Sequence, residues 1–264
     1  MKKIIVLFNG ISAPWHITTF ALNIAKQHNA AVLALFLKDD AADYPFPSDI
    51  KSVQKDYSKK QERADDESLQ EKNIQMFKTF CQDENVMCDF RKNISLKELV
   101  KFSSDASIVV SDARDESQKY SLKEIMAQVK CPICLVSANA AEIKTSILLY
   151  DGKENSMHAI KSYAEQLPKL CEEKSYLVRI NEEDSSDDAK EAVQQFHNKF
   201  PALEEISLKG NLEKTLLEFL DEHTENAMVV MGAYGRSALS LLFKPSLSNV
   251  VLKQTRTSLF IAHD

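Results

Sequence analysis

The sequence predicts an α/β protein built as two tandem open parallel sheets, each of five strands with helices on both faces. Three observations predict it. Short continuous runs of Ile, Val and Leu alternate with amphipathic helical stretches along the whole chain. The order of these elements occurs twice. The few glycines gather where the apolar runs end.

The repeat is read by sliding the chain on itself. Ile4-Ile5-Val6-Leu7-Phe8-Asn9-Gly10 opens the first copy and Ile147-Leu148-Leu149-Tyr150-Asp151-Gly152 the second. A slide of 142 places Asn9-Gly10 on Asp151-Gly152 and His16 on His158, just before the first helix of each copy. Further on, Leu96, Leu99 and Val100 precede Ile108-Val109-Val110, as Leu216, Phe219 and Leu220 precede Met228-Val229-Val230. There the slide falls from 142 to 120, so the second copy lacks 22 residues, lost from the polar middle (Ser48 to Gln82 in copy one, Asp184 to Lys199 in copy two). The domains are therefore expected at 1–140 and 141–264, divided near Asn139 to Thr145.

Each element has its reason. The opening runs are too short for helices and apolar throughout, which suits strands buried on both faces. Helical spacing follows in Phe20, Ile24 and Ala25, and in Ile160, Tyr163, Ala164 and Leu167. Strand two is expected at Ala31–Leu37 and Tyr176–Ile180, then a polar helix, then strand three at Val86–Phe90 and Leu203–Leu208. A helix (Leu96–Phe102; Leu212–Leu220), strand four (Ser107–Val110; Ala227–Met231), another helix and strand five (Ile133–Val136; Leu259–Ala262) complete each copy. Strands alternating with helices imply parallel pairing through right-handed crossovers.

Composition narrows the function. Apolar residues at 44% and charged residues at 27% belong to a globular protein with true cores. A net charge of −6 gives no broad attraction for phosphate backbones, which argues against nucleic acid. No apolar run approaches the roughly 20 residues that span a bilayer, so no membrane partner is expected. The run Ile4–Phe8 is too short for the apolar region of a signal peptide, about 7–15 residues. The expected compartment is the cytoplasm, where the five cysteines would stay reduced.

There are only five glycines: Gly10, Gly152, Gly210, Gly232 and Gly235. Gly10, Gly152 and Gly232 fall at the carboxyl ends of expected strands, and Gly235 just beyond. That rim is where open parallel sheets bind ligands, and backbone N–H groups at such a turn can cradle an anion. Each glycine is also explained by a tight strand-to-helix turn, and both readings stay open for Gly232 and Gly235. No Gly-x4-Gly-Lys and no Gly-x-Gly-x-x-Gly is present, which sets aside P-loop enzymes and ordinary dinucleotide-binding dehydrogenases.

The segment from Val229 to Ser248 resembles the signature of the universal stress protein family, and the chain resembles a tandem two-domain member. In ATP-binding members the pattern is Gly, two residues, Gly, nine residues, Gly, then Ser or Thr. Gly232 and Gly235 match, Pro245 stands where the third glycine would be, and Ser246 holds the hydroxyl position. The resemblance implies a Rossmann-like fold of the adenine nucleotide alpha hydrolase type and a role in the stress response. It implies adenine-nucleotide (ATP) binding in the second copy: Asp151 on the adenosine side, Gly232 and Gly235 with Ser246 at the phosphates, and Arg236 adding charge. No metal is implied beyond the magnesium that accompanies a nucleotide. Pro245 departs from the pattern, because proline lacks an N–H and fixes φ near −65°. Copy one departs further: Asn9 replaces the acid, and Val110-Ser111-Asp112-Ala113-Arg114 lacks both glycines, so it is expected not to bind ATP.

No general base, Ser-His-Asp order or paired carboxylate set is recognisable, so an enzyme is not expected. The alternative is a nucleotide-free scaffold that dimerises or holds unidentified protein partners. The family's pairing through last strands implies contact between the two copies, with or without a homodimer. Cys131-Pro132-Ile133-Cys134 invites a redox or zinc reading. Residues three apart on a strand point to opposite faces, however, and no second such pair completes a zinc site. Trp15, the single tryptophan, lies in the first loop and would cover a core edge or a partner surface.

Overall fold

A computed structural model of the chain describes residues 2–8, 13–37, 68–113, 120–138, 143–180, 187–209, 212–223, 226–232 and 257–262. Its strands are β1 (Lys3–Phe8), β2 (Ala31–Leu37), β3 (Cys88–Ile94), β4 (Ile108–Asp112), β5 (Ile133–Val136), β6 (Thr145–Tyr150), β7 (Lys174–Ile180), β8 (Leu203–Leu208), β9 (Ala227–Gly232) and β10 (Ser258–Ala262). The helices are α1 (Trp15–His28), α2 (68–83), α3 (Leu96–Ser104), α4 (Leu122–Gln128), α5 (Glu154–Gln166), α6 (Asp187–Lys199) and α7 (Leu212–His223), with a 3-10 turn at Pro168–Glu172.

The two expected sheets are one. All ten strands form a single sheet in the order β3-β2-β1-β4-β5-β10-β9-β6-β7-β8. Each half is parallel throughout, and only the seam between β5 and β10 is antiparallel, pairing Leu259 with Leu135, Phe260 with Cys134 and Ile261 with Ile133. Left apart, each of these buried strands would present a row of unpaired N–H and C=O groups. Joining them satisfies both. At the seam's end the Ser137 N–H donates to Ser258 Oγ at 3.0 Å.

Apolar side chains alternate between two cores that run unbroken through both halves. Ile4, Val6 and Phe8 share one face with Leu148, Tyr150 and Phe260, under α1, α2, α5 and α6. Ile5 and Leu7 share the other with Ile147, Leu149 and Ile261, under α3, α4 and α7. Two helices start at capping boxes, in which a serine hydroxyl accepts from a backbone N–H three residues on while the glutamate there reaches back: Ser95 with Glu98 on α3, Ser121 with Glu124 on α4.

Element boundaries follow the sequence closely except at β3, which runs over Cys88–Ile94 rather than Val86–Phe90. This is an edge strand, largely exposed, and its register shifts between Leu35 and Leu37 of β2, where Asn93 adopts φ 54°. His16 and His158 lie inside α1 and α5 rather than before them.

Candidate functional site

In each half the chain winds outward from a central strand, then returns to the other side of it. In the second half β6 lies between β7 and β9, so the reversal falls between the carboxyl ends of β6 and β9. In open parallel sheets a reversal of this kind is where a ligand is expected to bind. Two expected site residues stand on this rim: Asp151 follows β6 and Gly232 ends β9.

Asp151 is held by the start of α5. Its Oδ1 accepts from the Lys153 N–H at 3.2 Å and lies 2.7 Å from the Ser156 hydroxyl, which also lies 2.8 Å from the Lys153 carbonyl oxygen. Gly152 between them takes φ 76°, a left-handed turn that glycine makes without strain. Lys153 at the N-cap makes no side-chain cap, so Asp151 supplies negative charge where the helix dipole is positive. Only one carboxylate oxygen is engaged. Oδ2 has no partner among the described residues, and the side chain is half-buried.

Gly232 has a different reason to be glycine. A Cβ there would lie 2.6 Å from the Asn155 carbonyl oxygen and 3.1 Å from the Asn155 Cβ. The first turn of α5 crosses the end of β9 so closely that only a hydrogen fits. Gly235, Arg236, Pro245 and Ser246 lie outside the described residues.

At the corresponding reversal in the first half, between β1 and β4, the described residues include a carboxylate and an imidazole. Asp112 ends β4 and is 8% exposed. His16 Nε2 stands 3.7 Å from its Oδ2 and 3.2 Å from the Val136 carbonyl oxygen. A buried carboxylate therefore occupies this strand end, where the second half has Gly232. Asn9 and Gly10 lie outside the described residues.

Cys131 and Cys134 are parted by the sheet itself: Cys134 belongs to the core under α1 and α5, Cys131 to the core under α3 and α4. Burial pushes the Cys131 thiol up to about 12 and that of Cys134 up as well. Both are unsuited to thiolate chemistry. Among the described residues no group of three or more His, Cys, Asp or Glu side chains could hold a metal ion, and no helix is long and apolar enough to cross a membrane.

Trp15, expected in the first loop, is instead the first residue of α1. It stacks on Phe80 at 4.3 Å between ring centroids and lines an open groove of about 940 Å³, which runs between α1 and the 168–172 turn of the other half, a feature not read from the sequence.

No protein-family model matches the sequence, and no curated protein matches it. Solved structures do. A universal stress protein from Archaeoglobus fulgidus superposes over 99% of this chain and 98% of its own, with TM-score 0.62 at 15% identity. The fold is that of a universal stress protein. A universal stress protein family member from Burkholderia pseudomallei matches 51% of this chain and 95% of its own, with TM-score 0.35 and 15% identity. A universal stress protein solved in complex with cAMP matches 46% and 98%, with TM-score 0.33 and 18% identity. The first match takes in both halves of this universal-stress-protein fold.

Proposed function

We propose that the chain is a stress-response protein of the universal stress type whose second half holds an adenine nucleotide, ATP or a relative, between the ends of β6 and β9 without fast turnover. One observation carries this reading. Asp151 stands on the rim of the reversal with Oδ1 anchored to α5 and Oδ2 left without a partner among the described residues. Ribose hydroxyls and the adenine amine are donors, and a pre-positioned carboxylate oxygen is the acceptor they need. The residues fit the adenosine part of the ligand. Gly235, Arg236 and Ser246 are proposed for the phosphates, with Pro245 removing one N–H that a glycine would give. A bound nucleotide brings its own magnesium. The first half is proposed as the non-binding partner, because Asp112 repels phosphate at the equivalent strand end.

A second reading is favoured by the same geometry seen from the fold's side. Asp151 caps α5 and Gly232 makes room for it, so both residues have work to do in a nucleotide-free scaffold. Calorimetric titration with ATP separates the two. The first reading expects saturable binding that Asp151→Asn weakens roughly tenfold to hundredfold, the loss of about 1.5–3 kcal/mol for a hydrogen bond to a charged group. Asparagine keeps an acceptor for the local cap, so the loss reports the carboxylate's charge. No heat of binding at millimolar ATP favours the scaffold.

A further inference from the structure

The buried stripe of α5 begins at Ser156 and continues through Ala159, Ile160 and Tyr163. Packing alone would favour an apolar side chain at its head, since a buried hydroxyl costs free energy unless it is hydrogen-bonded. Ser156 is 6% exposed, and its hydroxyl contacts all lie at the candidate site. Its Oγ stands 2.7 Å from Asp151 Oδ1 and 2.8 Å from the Lys153 carbonyl oxygen, and the Asp151 N–H donates to it at 3.4 Å. A serine hydroxyl carries one proton, so it serves one of the two acceptors at a time. The carboxylate is the stronger acceptor. Donation to Oδ1 locks Asp151 against α5 and leaves Oδ2 without a partner among the described residues. Donation to the Lys153 carbonyl, the back-bond a helical serine commonly makes, would leave two oxygens facing each other at 2.7 Å with no hydrogen between them, and the carboxylate would turn away. The first half supplies a contrast. The slide of 142 that places Asn9 on Asp151 places Pro14 on Ser156. Pro14 is the N-cap of α1 and makes no side-chain cap bond. Acid and hydroxyl are absent together from the copy expected not to bind.

We propose that Ser156 is a positioning residue for the second-half site: its hydroxyl selects the orientation of the Asp151 carboxylate, and with it the affinity for the ribose or adenine donors of a nucleotide. Ser156 itself need not touch the ligand. Its effect on affinity rests on the nucleotide reading proposed above, whereas the orientation of Asp151 is a property of the ligand-free chain.

The test has two arms, both on the full-length chain. In the first, NMR measures the three-bond couplings between the α and β protons of Asp151 without ligand. The wild type should show one dominant χ1 rotamer. Ser156→Ala should move the couplings towards rotational averaging, and Ser156→Thr, which keeps a hydroxyl, should hold the wild-type pattern. In the second arm ATP is titrated calorimetrically. Ser156→Ala should weaken binding roughly threefold to tenfold, the effect of one lost hydrogen bond, and Ser156→Thr should restore it. Ser95→Ala, which removes a cap hydroxyl from α3 in the other half, should leave affinity unchanged. Should Ser156→Ala fail to fold, Ser156→Cys, of similar size and a much weaker donor, takes its place. Unchanged Asp151 couplings in Ser156→Ala, a loss of affinity that threonine does not restore, or an equal loss in Ser95→Ala would overturn the proposal. If the wild type binds no ATP at millimolar concentration, the nucleotide reading falls, and the couplings still decide whether Ser156 orients Asp151.

Discussion

Gly232 lies directly under Asn155: the end of β9 meets the first turn of α5 so closely that a Cβ at 232 would stand 2.6 Å from the Asn155 carbonyl oxygen. The obstacle is backbone, not the tip of a side chain, so it cannot swing aside. Gly232→Ala must push the start of α5 away from the sheet, and overpacking of this kind costs about 1–3 kcal/mol. The same displacement moves Lys153 and Ser156, which hold Asp151. Denaturant unfolding should show the loss of stability, and nucleotide affinity should fall with it although residue 232 need not touch the ligand.

The antiparallel seam makes the two halves one structure. Phe260 of β10 sits within a core that crosses from one half to the other and stands edge-on to Tyr163 of α5, with centroids 5.3 Å apart at 69°. The Tyr163 hydroxyl is in turn 2.7 Å from Ser146 Oγ. Phe260→Ala should cost about 3–5 kcal/mol, as for other large aromatic truncations in a core. Because both cores are continuous, calorimetry should show a single cooperative transition that shifts downward as a whole. Two separated transitions would mean that the halves fold independently.

Acid should weaken the starts of α3 and α4. Glu98 is held below its usual value of 4.5, first by the Ser95 backbone N–H and then by its hydroxyl. Glu124 is likewise lowered by the Ser121 hydroxyl and backbone. A carboxyl lowered on folding adds stability above its unfolded value, and that stability disappears as pH falls through the lower folded value. The loss should therefore begin near pH 4.5 and continue below it. Side-chain NMR titration should find both groups below 4.5 in the wild type. In Ser95→Ala and Ser121→Ala the corresponding glutamate should move back up, while the other stays.

The thiols of Cys131 and Cys134 should resist modification while the chain is folded. Burial raises both, and they lie on opposite faces of the sheet. An aromatic disulfide reagent at neutral pH should label neither until denaturant is added. Rapid labelling of both in the native chain would show that β5 is exposed.

Most of the fold was legible because buried parallel strands leave an unambiguous mark. Ile4–Phe8, Ile108–Val110 and Ala227–Met231 are apolar at every position since both faces are covered. The edge strand β3 was misplaced because it has one wet face and a charged run, Asp89 to Lys92, so its pattern no longer differs from a loop. That ten strands share one sheet was not legible in Ile133–Val136 or Ser258–Ala262, since an apolar strand carries no sign of which neighbour satisfies its backbone. At the site, Asp151 and Gly232 were found through the carboxyl ends of strands. Their structural duties were not, because the approach of α5 to β9 depends on a helix crossing that no spacing encodes.

The proposed site is tested most directly by following backbone amide signals while ATP and magnesium are added to the isotope-labelled chain. Saturable shifts at Gly152, Lys153 and Gly232, with Asp112 and Ala113 unmoved, are the result expected of a nucleotide seated between β6 and β9. Shifts confined to the first half or to the groove beside Trp15, or none at millimolar ATP, would contradict it.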